Sequence, residues 1–532
     1  MRERKQEYCG STFTILFATL CSVCFSNSLG EIKTIEIGGK IEIYGAWYSG
    51  LYDPNGASVR IPSFWLWGRP IGPFGTISSI QADDRTSLSF LEQRTRLNIQ
   101  TLFTDELLLF TEIDSTNVWG DGFPSDYLTG VDRRRETGGE IEVFQSFIEI
   151  SKLWGLPLNL RIGRQSMEFG SGWLVGADPG PDPFIGFSFD AIRATYKSDL
   201  ITVDTWWSKL FESENQEEDG DTDFMGIYMT FSRKPEMDHS FTFDLDLYWM
   251  FFRDARALSD TNSTALFKKL EDLLGLDDYD PTTLHTFGVR IAGTLNAWDW
   301  ELEAARQTGE ADAAGFLFHP LGGVYGDNSA TFSDWAGHAQ VGYTLNSDWN
   351  PRIYIGGAYY GGEDCRTVTL GQWLNPFFKP RASISFNRLF SVWREDNFID
   401  AGEMSNFWKA YGGISTSVSE KLELGAEVMY FEAVEGFRPP ISLGIGKWQI
   451  PLLPQLPFLT SSPDKSLGWE TILWASYNYS EDINFSVGWS RFFIGDAISN
   501  GVVFTDQNGL ANIGGINKKT ADYLYFQTTV TF

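Results

Sequence analysis

The side chains in this sequence that could do chemistry are arginines and carboxylates. Arg94 and Arg96 stand two apart, Arg161 and Arg164 flank Ile162-Gly163, and Arg193, Arg290 and Arg352 each sit alone in an alternating stretch. A guanidinium offers a rigid fork of donors that grips a carboxylate with two hydrogen bonds. A row of them along a channel could therefore guide anionic groups. The acids Glu112, Asp114, Glu149, Asp244, Asp246, Glu301 and Glu303 recur on similar stretches. The arginines could equally pair with these acids and only stiffen the protein, and both readings stay open here.

Catalytic signatures are missing, so no enzyme is expected. The four histidines, His239, His285, His319 and His338, lack the His-x-x-x-His or His-Glu-x-x-His spacing of a metal site. There is no Gly-x-Ser-x-Gly elbow, and glycine pairs such as Gly361-Gly362 do not open helices as a phosphate loop must. In so acidic a chain, neighbouring carboxylates alone do not indicate a glycosidase. No cofactor is expected beyond a conceivable Ca²⁺ at the loop tip Glu217-Glu218-Asp219-Gly220-Asp221.

Strands must position these side chains. Past Gly30 no apolar run is long enough to cross a membrane as a helix, which takes roughly 20 residues. What recurs is period-two alternation. Between Asp238 and Met250, Phe241, Phe243, Leu245, Leu247 and Trp249 share one face, while Thr242, Asp244, Asp246 and Tyr248 share the other. Candidate strands fall near 35–48, 89–103, 106–115, 140–151, 156–164, 190–197, 201–208, 223–232, 239–250, 285–294, 298–308, 333–344, 352–361, 407–417, 422–431, 467–479, 483–493 and 521–532. Their number, about eighteen, is even, as bacterial single-chain barrels require.

The connections alternate in length. Tight turns at Thr104-Asp105, Lys152 to Gly155, Ser198 to Leu200, Leu295 to Ala297, Val418 to Lys421 and Ser480 to Asp482 alternate with long excursions. The excursions run Ser49 to Leu88, Thr116 to Gly139, Gln165 to Phe189, Phe251 to Leu284, Gly362 to Asn406, Glu432 to Ser466 and Ile494 to Thr520. One short rim and one long rim predict an all-β fold: a transmembrane antiparallel barrel with short periplasmic turns and long extracellular loops, in the bacterial outer membrane. Parity then faces Arg94, Arg96, Arg161, Arg193, Arg290 and Arg352 into the lumen, because an arginine at mid-membrane on the lipid face costs roughly 2–4 kcal/mol. Arg164 has the opposite parity and joins the path only if the chain bends at Gly163. Asn262 to Gly275 reads as a short amphipathic helix within a loop.

The N-terminus adds a compartment. Arg2, Arg4 and Lys5, an apolar run from Phe13 to Phe25 and the small residues near Gly30 predict a signal peptide over 1–30, leaving one barrel domain over 31–532. Cys9, Cys21 and Cys24 would leave with it, so Cys365 alone predicts no disulfide framework. A net charge of −29 excludes nucleic acid as a partner. Membrane lipid is the expected surroundings, and the alternating strand Tyr523 to Phe532, ending on Phe, resembles the signal read by barrel-insertion machinery.

Leu160 to Tyr196 is the most informative stretch: two arginine-bearing strands flank a Gly/Pro/Trp-rich excursion that could fold over the mouth and narrow it. Gly163-Arg164-Gln165, Phe169-Gly170, Leu174-Val175-Gly176 and Ser188-Phe189-Asp190-Ala191-Ile192-Arg193, with Arg94-Thr95-Arg96-Leu97 upstream, resemble the alginate export family of outer-membrane barrels. The detailed likeness covers residues 88 to 210. It implies an eighteen-stranded barrel whose arginine-lined constriction passes a polyuronate outward. Where that pattern has arginine before leucine, this chain has Trp173, an aromatic platform suited to sugar faces. The expected function is passage of an anionic polysaccharide or small acidic solute. A general or hydrocarbon-type porin is the alternative, and a surface-binding barrel or outer-membrane enzyme a more distant one.

Overall fold

The computed structural model describes residues 32–50, 87–119, 141–177, 187–212, 221–233, 241–255, 281–311, 330–362, 366–374, 382–398, 405–435, 465–499 and 519–532, with short pieces of strand between 58 and 78, at 125–126, 131–132, 441–445 and 448–451. The proposed signal peptide, Cys365, the expected helix at 262–275 and Glu217 to Gly220 lie outside the described residues.

Eighteen strands close into one antiparallel ring: β1 (Thr34–Ser49), β2 (Ser87–Leu102), β3 (Leu107–Val118), β4 (Ile141–Ile150), β5 (Leu158–Gln165), β6 (Phe189–Lys197), β7 (Ile201–Phe211), β8 (Thr222–Arg233), β9 (Phe241–Asp254), β10 (Thr282–Leu295), β11 (Trp298–Ala311), β12 (Trp335–Thr344), β13 (Arg352–Tyr360), β14 (Phe407–Ser419), β15 (Leu422–Ala433), β16 (Ser466–Asn478), β17 (Ile483–Ile494) and β18 (Thr520–Thr531). Each pairs with its neighbours in sequence. The ring shuts where β1 meets β18, with Lys40 opposite Thr531 and Ser49 opposite Asp522. Closure removes the open edges that hydrocarbon cannot solvate. Every expected strand is present. In sequence, residues 234–240 separate β8 from β9 and 345–351 separate β12 from β13, while 212–221 and 312–334 separate β7 from β8 and β11 from β12.

Alternation decides which face each side chain takes. On β9, Asp246, Tyr248 and Met250 are buried while Leu247 is exposed. Around the ring Leu97, Ile148, Ile162, Ile192, Leu302, Ile355, Val428 and Leu473 point outward and stay exposed. An apolar belt of that extent is unsuited to water and matches a lipid-facing band. No helix among the described residues is long and apolar enough to cross a membrane.

The interior is packed. Two pieces of long-rim loop turn inward, 166–177 after β5 and 382–398 before β14, and join through a bridge between Val175 and Phe390. The bridge is held by Gly176 N–H to Phe390 O (3.1 Å) and Phe390 N–H to Leu174 O (2.9 Å). Phe390 packs on Phe189 of β6, Phe224 of β8 and Phe252 of β9. Eight residues on, Phe398 packs on Phe492 of β17 and Tyr523 of β18. Since β8 and β17 are half a ring apart, 390–398 crosses the lumen as a bar. Gly170 makes the tight turn of 166–177 possible: its φ is +61°, and a Cβ there would stand 2.5 Å from the Tyr228 hydroxyl.

Candidate functional site in the barrel lumen

The six arginines that strand parity faces inward are each engaged with an acid. Arg94 Nη2 is 2.6 Å from Asp114 Oδ2, and Arg96 shares that oxygen at 3.2 Å. Both guanidiniums lie over the Phe144 ring and are buried. Arg161 binds Glu149 at 2.6 Å and lies over Phe147 at 4.2 Å. Arg193 binds Asp204 at 2.8 Å and lies over Phe169 of the first inner segment at 5.1 Å. Arg290 is held by Asp246 at 3.0 Å and Glu301 at 3.1 Å, with its Cδ beneath Gly170. Arg352, the first residue of β13, pairs with Asp299 near the short rim, away from the inner segments. Asp244 faces inward with no ion pair to a described residue.

Two expectations are corrected. Gly163 has a φ of +126°, yet the β5–β6 register runs through it without a slip, Ile162 opposite Ile192 and Arg164 opposite Asp190. Arg164 therefore keeps outward parity and pairs with Asp190 at 2.9 Å, outside the lumen. Trp173 is fully buried. Its indole N–H donates to the Tyr360 hydroxyl at 2.7 Å and its ring lies against Phe386 and His338. It fastens the inner segment and has no face to offer a sugar.

A charged knot holds the bar. Glu395 accepts hydrogen bonds from Lys409 Nζ (2.7 Å) and the Tyr360 hydroxyl, with Arg388 at 3.9 Å. Burial alone would raise its carboxyl, but Lys409 and Arg388 outweigh that and hold it at about 2. Farther along, Asn397 donates to Glu470 at 2.7 Å, and Trp393 donates to the Ser171 carbonyl at 2.9 Å, tying the two inner segments together. Beneath the bar is a cavity of about 450 Å³ lined by Arg394, Glu395, Lys409, Glu427 and Tyr525 among others.

Asp204, Glu395, Lys409, Glu427 and Tyr360 were not singled out from sequence. Asp204 alternates on β7 between the outward-parity Val203 and Thr205, so parity could have found it. Glu395 lies in an aperiodic loop, and only long-range pairing reveals its neighbours.

The family model described as alginate export matches residues 78–510. Curated proteins give no significant match. Solved structures with a similar course include OccK8 (OprE) of Pseudomonas aeruginosa, at 9% identity over 95% of this chain and 99% of that one, with a TM-score of 0.48. They also include OccAB4 of Acinetobacter baumannii, at 8% identity over 95% and 100%, TM-score 0.47, and P. aeruginosa OpdQ, at 10% identity over 94% and 98%, TM-score 0.45. The family match spans most of the ring, the inner segments and the ion-paired lumen, and the chain belongs to the alginate export family of bacterial outer-membrane channels.

Proposed function

We propose that the channel passes an anionic polysaccharide or acidic sugar, alginate-like in chemistry, along the wall that carries Arg161 and Arg193. One observation carries the reading: the two arginines are directly opposed in the β5–β6 ladder. Like charges at facing positions destabilise a sheet. Here Glu149 on β4 and Asp204 on β7 each take one arginine of the pair, and the two side chains remain 30% and 19% exposed.

Glu149 takes the Nε and Nη2 donors of Arg161, so the other terminal nitrogen can receive a passing carboxylate. Such contact is weak enough to release, as conduction requires. Arg94 and Arg96, buried under Phe144, serve the wall instead.

Reversal potentials across planar bilayers under a KCl gradient test this. Wild type is expected to prefer anions, and the R161Q/R193Q variant to lose that preference. Cation preference in both forms would refute the reading and favour a general porin.

A further inference from the structure

We propose that Glu301, Glu303 and His338 form a site for a divalent transition-metal ion of the zinc class, at the place where both inner segments meet the barrel wall. His338 on β12 is directly opposite Glu303 on β11, and Glu301 lies two residues along the same face. His338 Nε2 is 3.5 Å from Glu303 Oε2 and 3.9 Å from Glu301 Oε1, and the three donor atoms lie within 4.8 Å of one another. Two ligands on one zinc ion, each near 2.0–2.2 Å, stand about 3.4 Å apart in tetrahedral geometry. His338 needs to close on each carboxylate by only tenths of an ångström, and the two carboxylates, within 4.8 Å of each other, by about 1.4 Å at most.

The polar atoms are prepared for a partner that the protein does not supply. Glu303 Oε2 and His338 Nε2 are buried and make no hydrogen bond, on side chains only 4% exposed. Buried polar atoms are otherwise almost always satisfied. The second oxygen of Glu303 accepts from the Tyr248 hydroxyl at 2.8 Å, the kind of outer contact that orients a metal ligand. Charge points the same way. Asp246, Glu301 and Glu303 surround one guanidinium, Arg290, leaving a formal local charge of −2 that a dication would neutralise. Arg290 stands 3.1 Å from the Glu301 oxygen concerned, and its Nη1 contact to Asp246 at 3.0 Å keeps it anchored when Glu301 turns to the ion.

One imidazole and two carboxylates suit Zn²⁺ or a neighbouring transition metal over Mg²⁺ or Ca²⁺, which favour all-oxygen sets. Three protein ligands leave a fourth position for water. The His338 ring lies between Trp173 and Trp393, at 5.1 and 4.6 Å between ring centres, one from each inner segment. An ion that fixes His338 therefore fastens both segments to the wall, whatever solute the channel passes.

The test is calorimetric titration of ZnCl₂ into EDTA-treated full-length protein in detergent micelles, with any affinity tag removed. One ion per chain is expected. H338Q should weaken binding on the order of 100-fold or more, at least as much as losing an outer-shell partner does. Saturating zinc should raise the Tm of wild type and leave that of H338Q unchanged. Should H338Q fail to form a heat-modifiable barrel, E301Q, at a half-buried position, serves in its place with the same expected loss. No one-to-one binding below millimolar zinc, or stoichiometric binding that survives both substitutions, overturns the proposal.

Discussion

Replacing Lys409 with Met should release the bar. Lys409 Nζ is 2.7 Å from Glu395 Oε2 and also donates to the Glu395 carbonyl at 3.0 Å. Both side chains are largely buried, at 10% and 2% exposure, so the substitution strands a carboxylate whose remaining cation, Arg388, is 3.9 Å away. Breaking one side of a buried ion pair costs about 3–5 kcal/mol. At 1.36 kcal/mol per decade, that favours undocking of 386–398 by roughly two to nearly four orders of magnitude. Because the bar crosses the lumen, the readout is single-channel conductance: K409M should show a larger or fluctuating unitary conductance. The double variant K409M/E395Q, which removes both charges, should recover most of the wild-type trace, since losing a whole pair costs far less than losing half. A K409M channel identical to wild type in conductance and melting would refute the bar's dependence on this pair. Acid gives a second check on the same group. The Glu395 carboxyl is held at about 2, below its ordinary 4.5. A depressed carboxyl stabilises the docked bar fully above pH 4.5, and that contribution is lost as pH falls through 2. Wild-type current noise should therefore rise between those values.

Three further substitutions probe other parts of the lumen and its wall. Gly170→Ala puts a side chain at φ +61° against the Tyr228 hydroxyl and should cost about 1–3 kcal/mol, read as faster proteolysis within 166–177 while the barrel stays heat-modifiable. Asp114→Asn strips the carboxylate shared by Arg94 and Arg96 and should lower stability by about 3–5 kcal/mol in urea unfolding without altering ion selectivity, because those guanidiniums are buried. Ile355→Arg, on the outward face of β13 at 62% exposure, should cost roughly 2–4 kcal/mol of folding into bilayers; an unaffected yield would place Ile355 outside the hydrocarbon.

The ring was legible in the sequence because lipid imposes a strict two-residue period. Ile162 and Leu247 outside, Arg161 and Asp246 inside, follow from parity alone, and so do most of the lumen arginines and acids. Parity also argued against Arg164, whose outward pairing with Asp190 follows from a register that Gly163 bends without breaking. The bar was not legible. Residues 382–398 lack any period, and their anchors, Tyr360, Lys409 and Glu470, lie on strands whose meeting with the loop depends on ring closure. Trp173 misled for the same reason. Its type suits a sugar platform, but Tyr360, to which it donates a hydrogen bond, is 187 positions away. Facing partners on adjacent strands, such as Arg161 and Arg193, are set by local register and could be inferred. Partners across the lumen could not.

The opposed arginines carry the functional reading, and the most direct measurement of it is current blockade by a uronate oligosaccharide. Added to a bilayer holding single wild-type channels, an oligomer of acidic sugars should produce resolved blockades that a neutral oligosaccharide of equal length does not. In R161Q/R193Q those blockades should shorten by at least tenfold, the loss of about 1.4 kcal/mol expected when charged hydrogen bonds are removed. Equal residence times in the two channels, or equal blockade by charged and neutral sugars, would contradict an anion path along Arg161 and Arg193.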